Sequence, residues 1–588
     1  MSKLQKSGNQ QENGLSRRKF LGNSSAVIVS TVAASSLPFG SILTNAQELP
    51  TLHIVNFTNW SEGISVPGML AAEVTSAEEI VTLANWASVA GRTLRPFGHK
   101  HGWSPLVITK DTKPDDNVVL VDTSKLDGMT IEESHSDYGT VRVGTGATVE
   151  DLYLFLEDLG WAFQNTPAPG QLSVGGVLAI DAHGTGVPYD GSTESPHLAG
   201  SMSNLVLSFE AVVWDEDKEA YAVTSFSRNH PDADALLAHL GRTIITEVVL
   251  QVVPNYFLRC VSRTDIKWRD VFDANRNNSP FCVSNLLDKY GRVEVIWYPY
   301  TKKPWLKYWE NTPEPPEGSR VVYHPYNYPF SDSLPQEISD YIKKILEGHT
   351  ELVPLFSEAF YLFTVRGLKG LVPPYDQSYD IWSSAWNLLV YIKDSTLRVT
   401  ANGYVVHVPR RKVGTVVRRF AKKYNSLLNS YREDDKYPMS GPVEVRVTGL
   451  EDVTDLHVDG NLKPPSISAL TKSTNASGRV DTAVWFDILT FPGQPDSNEF
   501  YQEIEQWFLD NYDVESVRCE WSKGWAYTDE GAWTNEDYLH NTIPQAFAHT
   551  PRSWDSTKEV LNKYDPKGIY TNPFLLNLFD QTAKVELL

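Results

Sequence analysis

Four glycine-rich turns, met in a fixed order within the first third of the chain, constrain its fold more than any other feature. They are Gly98-His99-Lys100-His101-Gly102-Trp103-Ser104, Gly144-Thr145-Gly146, Ser173-Val174-Gly175-Gly176 and His183-Gly184. A turn without Cβ atoms lets backbone N–H groups come close to a ligand, a diphosphate above all. One such cluster would mean little. Four in series, each at the edge of a strand or helix, describe a site assembled from several loops. Gly144-Thr145-Gly146 lacks a third glycine, so the dinucleotide fingerprint of a Rossmann domain is absent. HExxH, cysteine-rich metal spacing and the GxSxG elbow are absent too, and no metal site is expected.

The surrounding pattern is α+β. Ser76 followed by Glu79 is a capping box, and Ala77, Ile80, Val81 and Ala84 recur at helical spacing. Strands are expected at Thr93–Arg95, Val118–Val121, Thr140–Val143, Leu205–Trp214 and Ile244–Val253, with a helix over Val149–Leu159. Beyond 255 the alternation is less regular. It predicts strands at Arg292–Tyr298, Val405–Val408, Val443–Val447 and Val484–Leu489, and helices over 335–347, 411–431 and 498–510. Asn311 to Gly318, rich in proline, reads as an exposed loop.

The net charge is −21, with no long basic run, so nucleic acid is not an expected partner. Seventeen Trp, 27 Tyr and 23 Phe suit a large core or a wide apolar pocket. Three widely spaced cysteines rule out a disulfide framework and leave only a Cys260–Cys282 bridge open. At the N-terminus, Ser16-Arg17-Arg18-Lys19-Phe20-Leu21 precedes an apolar run from Ala26 to Leu37, and Thr44-Asn45-Ala46 offers a cleavage point. That run is too short to cross a bilayer, which takes about 20 residues as a helix. The arrangement resembles a twin-arginine export signal, so residues 1–46 are set apart from the fold. The expected location is secreted or periplasmic, and that export route hints at a tightly held cofactor.

The order of turns and elements over about residues 65–255, and less strongly over the final 30, resembles the vanillyl-alcohol oxidase family of flavoproteins. The resemblance implies a two-domain fold: an FAD-binding domain over 60–255 and a substrate domain over 256–550 with a β-sheet and covering helices. A segment from 551 to 588 would return to the first domain. FAD is the implied cofactor, held by Arg95, Gly98, His99, Lys100, Gly102, Gly144, Gly146, Ser173, Gly175, Gly176, His183 and Gly184. His101 matches the position that many members use to carry the flavin covalently, with His99 second. Two loop histidines that only hydrogen-bond a non-covalent FAD are the alternative. A neutral imidazole must make the bond, and positive charge on Lys100 and Arg95 would keep it neutral.

Within that family His101-Gly102-Trp103-Ser104-Pro105-Leu106 and Asn85-Trp86-Ala87 resemble the flavin-linked bacterial cholesterol oxidases. So do Arg292-Val293-Glu294-Val295-Ile296-Trp297-Tyr298-Pro299 and Gly441-Pro442-Val443-Glu444-Val445-Arg446-Val447. By pattern alone these last two are amphipathic strands. Val443, Val445 and Val447 face one way, while Glu444 and Arg446 face the other as solvated charges. The resemblance reverses that and places Glu294, Glu444 and Arg446 on a substrate cavity beside the flavin. Glu444 would then be the base, Arg446 the oxyanion partner and Glu294 a gate or second carboxylate.

The implied activity is oxidation of a 3β-hydroxysterol to the 3-ketone with Δ5 to Δ4 isomerisation, O2 being reduced to H2O2. The same fold acting on an alditol, sugar or aromatic alcohol is one alternative. A dehydrogenase with another electron acceptor and a non-catalytic flavin or sterol binder are the others. Leu352-Val353-Pro354-Leu355-Phe356 and Leu371-Val372-Pro373-Pro374-Tyr375 read as buried turns, or else as lids that touch a membrane surface transiently.

Overall fold

Among the described residues, three sheets laid down in chain order carry the fold. The computed structural model describes residues 48–189, 200–328, 334–372, 375–390, 398–476 and 478–580. The export segment expected over 1–46 lies outside these. The first sheet orders its strands Leu52–Thr58, Ser65–Glu73, Val118–Asp122 and Thr93–Phe97. The helix Ala77–Ala90 packs Leu83, Ala84 and Ala87 with Leu94, Val119 and Val121 of that sheet. It starts where Ser76 Oγ accepts the Glu79 N–H, as the capping box requires, and ends at left-handed Gly91 (φ 61°).

The second sheet runs Met129–Ser134, Gly139–Gly144, Ile244–Pro254, Val206–Asp215 and Ala220–Ser227, with the short strand Trp161–Ala162 beside Ile244–Pro254. The third has nine strands. Its centre is Trp305–Asn311, Arg292–Trp297, Val443–Gly449, Thr482–Thr490 and Thr400–Val408, all antiparallel. Helices Val413–Glu433 and Ser497–Asn511 cover one face of this sheet. Val416, Val417, Phe420 and Phe508 meet Val445, Val447 and Phe486 there in one buried core. The architecture is the expected α+β pair of a cofactor domain and a substrate domain with covering helices.

The chain returns at its end to the first half. The Leu94 N–H donates to Ile569 O (2.7 Å), Tyr221 Oη donates to Asp565, and Tyr570 Oη donates to Val212 O (2.9 Å). Two expectations need correction. The apolar run at 352–356 is not a turn: Val353–Leu368 is a helix with Pro354 in its first turn, where the missing N–H costs nothing. The strand expected at Val405–Val408 starts at Thr400, because Asn402 and Gly403, which look like turn residues, pair with Ile488 and Asp487. All three cysteines are buried and free, so the Cys260–Cys282 bridge does not form.

Candidate active site

A cavity of about 630 Å³ lies between the glycine turns and the uncovered face of the nine-stranded sheet. Antiparallel pairing decides which side chains share that face, because directly opposed residues point the same way. One row across the strands reads Lys307, Glu294, Arg446, Trp485. The next reads Trp305, Ile296, Glu444, Asp487, Gly403. Glu294, Glu444 and Arg446 therefore meet on one wall and all line the cavity, with Tyr298, Phe360 and Leu489 supplying apolar surface. The alternation expected of both strands is present, but the charges are not solvated. A second half of the molecule covers them.

The sequence signal missed the partners that make this buried charge tolerable. Arg446 Nη2 is paired with Asp487, and Lys523 Nζ lies 2.8 Å from Asp487 Oδ1 and 3.0 Å from Glu520 Oε2. Glu294 is paired with Lys307. Gly403 opens the space: a Cβ there would sit 2.8 Å from Glu520 Oε2 and 3.0 Å from Lys523 Cδ. Asp487 and Lys307 could have been flagged as charged residues inside apolar strands (Trp-Phe-Asp-Ile-Leu and Trp-Leu-Lys-Tyr-Trp). Lys523 and Glu520 sit in a loop and carried no signal.

Burial pushes the Glu444 carboxyl up, Glu294 adds to this, and Arg446 opposes it. Burial raises Glu520 to about 7, against the pull of Lys523. Asp487 goes the other way: burial works against its charge, but Arg446 and Lys523 together hold it below the usual carboxylate range. Arg446 stays charged, since Asp487, Glu520, Glu444 and Glu294 outweigh its desolvation.

The opposite wall is the glycine side. Gly98, His99, Lys100, His101, Gly102, Ser173, Gly175, Gly176 and His183 all line the cavity. The histidine turn is held from both sides: the Trp60 N–H donates to Lys100 O (2.8 Å) and the Trp103 N–H to Ser522 O (2.7 Å). The imidazole of His101 lies 4.8 Å from the Trp60 ring and 5.7 Å from the Trp103 ring, centroid to centroid. Lys100 turns away. Its Nζ lies 5.0 Å from the centre of the Phe97 ring and 5.6 Å from that of Phe57. His183 stacks on Trp485 at 3.7 Å, and burial, then Arg446, lowers its pKa to about 3, so it is neutral.

Three glycines and one arginine expected at the cofactor have other tasks. Gly144, Gly146 and Gly184 do not line the cavity. A Cβ on any of them would run into backbone, of Leu126, Thr123 and Thr166 respectively, so they allow loops to pack. Arg95 lines the cavity but spends its guanidinium on the carbonyls of Leu106, Val107, Gly241 and Tyr570, tying the C-terminal segment down.

The glycine wall fits FAD. Gly98, Gly102, Gly175 and Gly176 line the cavity, so the turns present backbone to it, and a Cβ on Gly98 or Gly176 would also close on Ser173. Thr243 Oγ1 and Trp60 Nε1, on residues that line the cavity, are buried without a partner among the described residues. Residues 69–215 match the FAD binding domain model, which makes this chain an FAD-dependent flavoprotein. Residues 257–580 match the model for the cholesterol oxidase substrate-binding domain, and the chain belongs to the cholesterol oxidase family of oxidoreductases.

Two solved structures are similar over nearly their whole length. A solvent-stable cholesterol oxidase is 42% identical, covering 90% of this chain and 98% of that one, with a TM-score of 0.85. A cholesterol oxidase from B. sterolicum is 35% identical, covering 93% and 100%, with a TM-score of 0.85. Among curated proteins, a D-arabinono-1,4-lactone oxidase of Eremothecium gossypii is 26% identical over 273 residues. An L-gulonolactone oxidase of Bos taurus is 22% identical over 273 residues, 46% of this chain and 55% of its own. The match to the Eremothecium protein spans 45% of each chain, so less than half of that relative's length is represented.

Proposed function

We propose that this protein oxidises a 3β-hydroxysterol to the 3-ketone, shifts the Δ5 double bond to Δ4, and passes the electrons to O2 to give H2O2. The observation that carries this is the partly buried Glu294–Glu444–Arg446 wall, set in apolar surface and facing the glycine turns across one cavity. Bound FAD supplies the hydride acceptor and the route of electrons to oxygen. Glu444 takes the hydroxyl proton, and Arg446, kept charged by Asp487, steadies the oxyanion that forms. Isomerisation needs a carboxylate that removes a proton at C4 and returns one at C6. Glu444, ionised again once it has released the hydroxyl proton and with its pKa raised in an apolar setting, suits that task, and Glu294 is the second carboxylate. Because Glu444 must be ionised to act, the acid limb of kcat/KM should lie above the ordinary carboxylate range.

His101, clamped by two indoles, is the attachment point for a covalent flavin in this reading. Export by the twin-arginine route and brief contact with a sterol-bearing surface complete it. The helix Val353–Leu368 supports that contact, since it turns Phe360 toward the cavity and leaves Leu355 and Leu362 about half exposed outside. The test is oxygen uptake with dispersed cholesterol, followed together with the ultraviolet band of the enone. Uptake with enone is expected. Uptake without enone removes the isomerase. Silence from protein that is yellow overturns the sterol assignment. Acid-precipitated protein should stay yellow and His101→Ala should not; a yellow His101→Ala pellet moves the bond to another residue.

A further inference from the structure

The glycine wall ends in a buried carboxyl pair that the proposed reaction does not use. Asp181 follows the helix Val174–Ala179 in left-handed backbone (φ 61°) and lines the cavity. Glu451 follows the strand Val443–Gly449. Both are buried, at 2% and 8% exposure. Ser468 stands between them: its Oγ lies 2.6 Å from Asp181 Oδ2 and 2.6 Å from Glu451 Oε1, and accepts the Leu470 N–H at 3.0 Å.

A serine has one hydroxyl proton, and an ionised carboxylate has none to give. Ser468 can fill only one of its two short contacts, so the other needs a proton on a carboxyl. The surroundings decide which carboxyl holds it. Glu451 also accepts the Ser201 N–H (3.1 Å) and the Ser201 hydroxyl (2.7 Å), and its charge acts on buried Arg228. Gly200 (φ 85°) leaves the room for this, since a Cβ there would meet Glu451 Oε2. Asp181 shares the Ser201 and Ser468 hydroxyls with Glu451 but its carboxyl accepts no backbone N–H among the described residues, and its Oδ1 is buried there without a hydrogen-bond partner. Charge stays where the donors are. Asp181 therefore donates to Ser468, and Ser468 to Glu451.

We propose that Asp181 is a cofactor-binding residue acting as a neutral carboxylic acid, its proton held by Ser468 and Glu451 while Oδ1 accepts a hydrogen bond from an N–H or O–H of FAD. Burial, then the charge of Glu451, pushes its pKa well up, in agreement with this. The inference rests on FAD as cofactor and is independent of the sterol assignment.

Holoenzyme variants test it by the flavin-to-chain ratio of purified protein and by infrared spectroscopy. Asparagine is nearly isosteric with a neutral aspartic acid, so Asp181→Asn should load flavin as the wild type does. Asp181→Ala should load about tenfold less. The wild type should show the C=O stretch of a protonated carboxyl that Asp181→Asn lacks. Flavin loss in Asp181→Asn, full loading of Asp181→Ala, or the absence of that band would each overturn the proposal. If Asp181→Ala does not fold, Ser468→Ala removes the bridge and no cavity residue. It should shift the band, and an unmoved band also overturns the shared proton.

Discussion

The two faces of the nine-stranded sheet come from the same alternating strands and treat a carboxyl in opposite ways. On the cavity face Asp487 lies against Arg446 and Lys523 and is held ionised. On the covered face Glu505 projects from the helix Ser497–Asn511 into the core, where it accepts from Asn402 Nδ2 (3.3 Å) and the Tyr527 N–H (2.9 Å). Burial without a cation raises it to about 8. Both carboxyls are fully buried. Burial alone therefore says nothing about charge; the neighbours on the same face do.

The contrast can be broken most strongly at the cavity face. Glu444→Gln removes the proposed base and should lower kcat by about 10²–10⁴-fold with little change in KM, read by steady-state oxygen uptake. Asp487→Asn leaves Arg446 and Lys523 as buried cations without their shared anion. It should cost about 3–5 kcal/mol in chemical denaturation and lower activity as well.

The covered face gives effects on stability that depend on pH. Glu505 has a folded pKa raised from 4.5 to about 8, so its neutral form is the one the fold favours. Its contribution to stability is complete below pH 4.5 and is lost as pH rises toward 8. Stability of Glu505→Gln measured against wild type across that window should show a difference that grows by about 3–5 kcal/mol, in favour of the glutamine. A flat difference would mean that Glu505 stays ionised. Smallest is Val445→Ala, which lies between Glu444 and Arg446 in sequence but faces the core. It should cost about 2 kcal/mol of stability and leave kcat near the wild-type value, showing that the strand separates chemistry from packing residue by residue.

Much of this was legible in the chain. Helix Ala77–Ala90 was announced by its capping box, and the strands at Val443 and Val484 by their alternation. His101, Glu294, Glu444 and Arg446 were singled out and do line one cavity. Illegible were the roles of Gly144, Gly146 and Gly184. A glycine that admits a ligand and one that admits a neighbouring loop have the same local signature, and only the packed partner tells them apart.

The sequence by itself determined which residues share a strand face, because the period of two is a property of the extended backbone. It also determined where turns without Cβ atoms occur. Only the tertiary structure decided which face would be covered by helices and which by the glycine wall. It alone brought Lys307, Asp487, Glu520 and Lys523 to the charges they balance. The physical reason is range. Alternation is fixed between neighbours in the chain, whereas the desolvation and pairing of a charge depend on groups from other strands and loops, brought within 4 Å only by the fold.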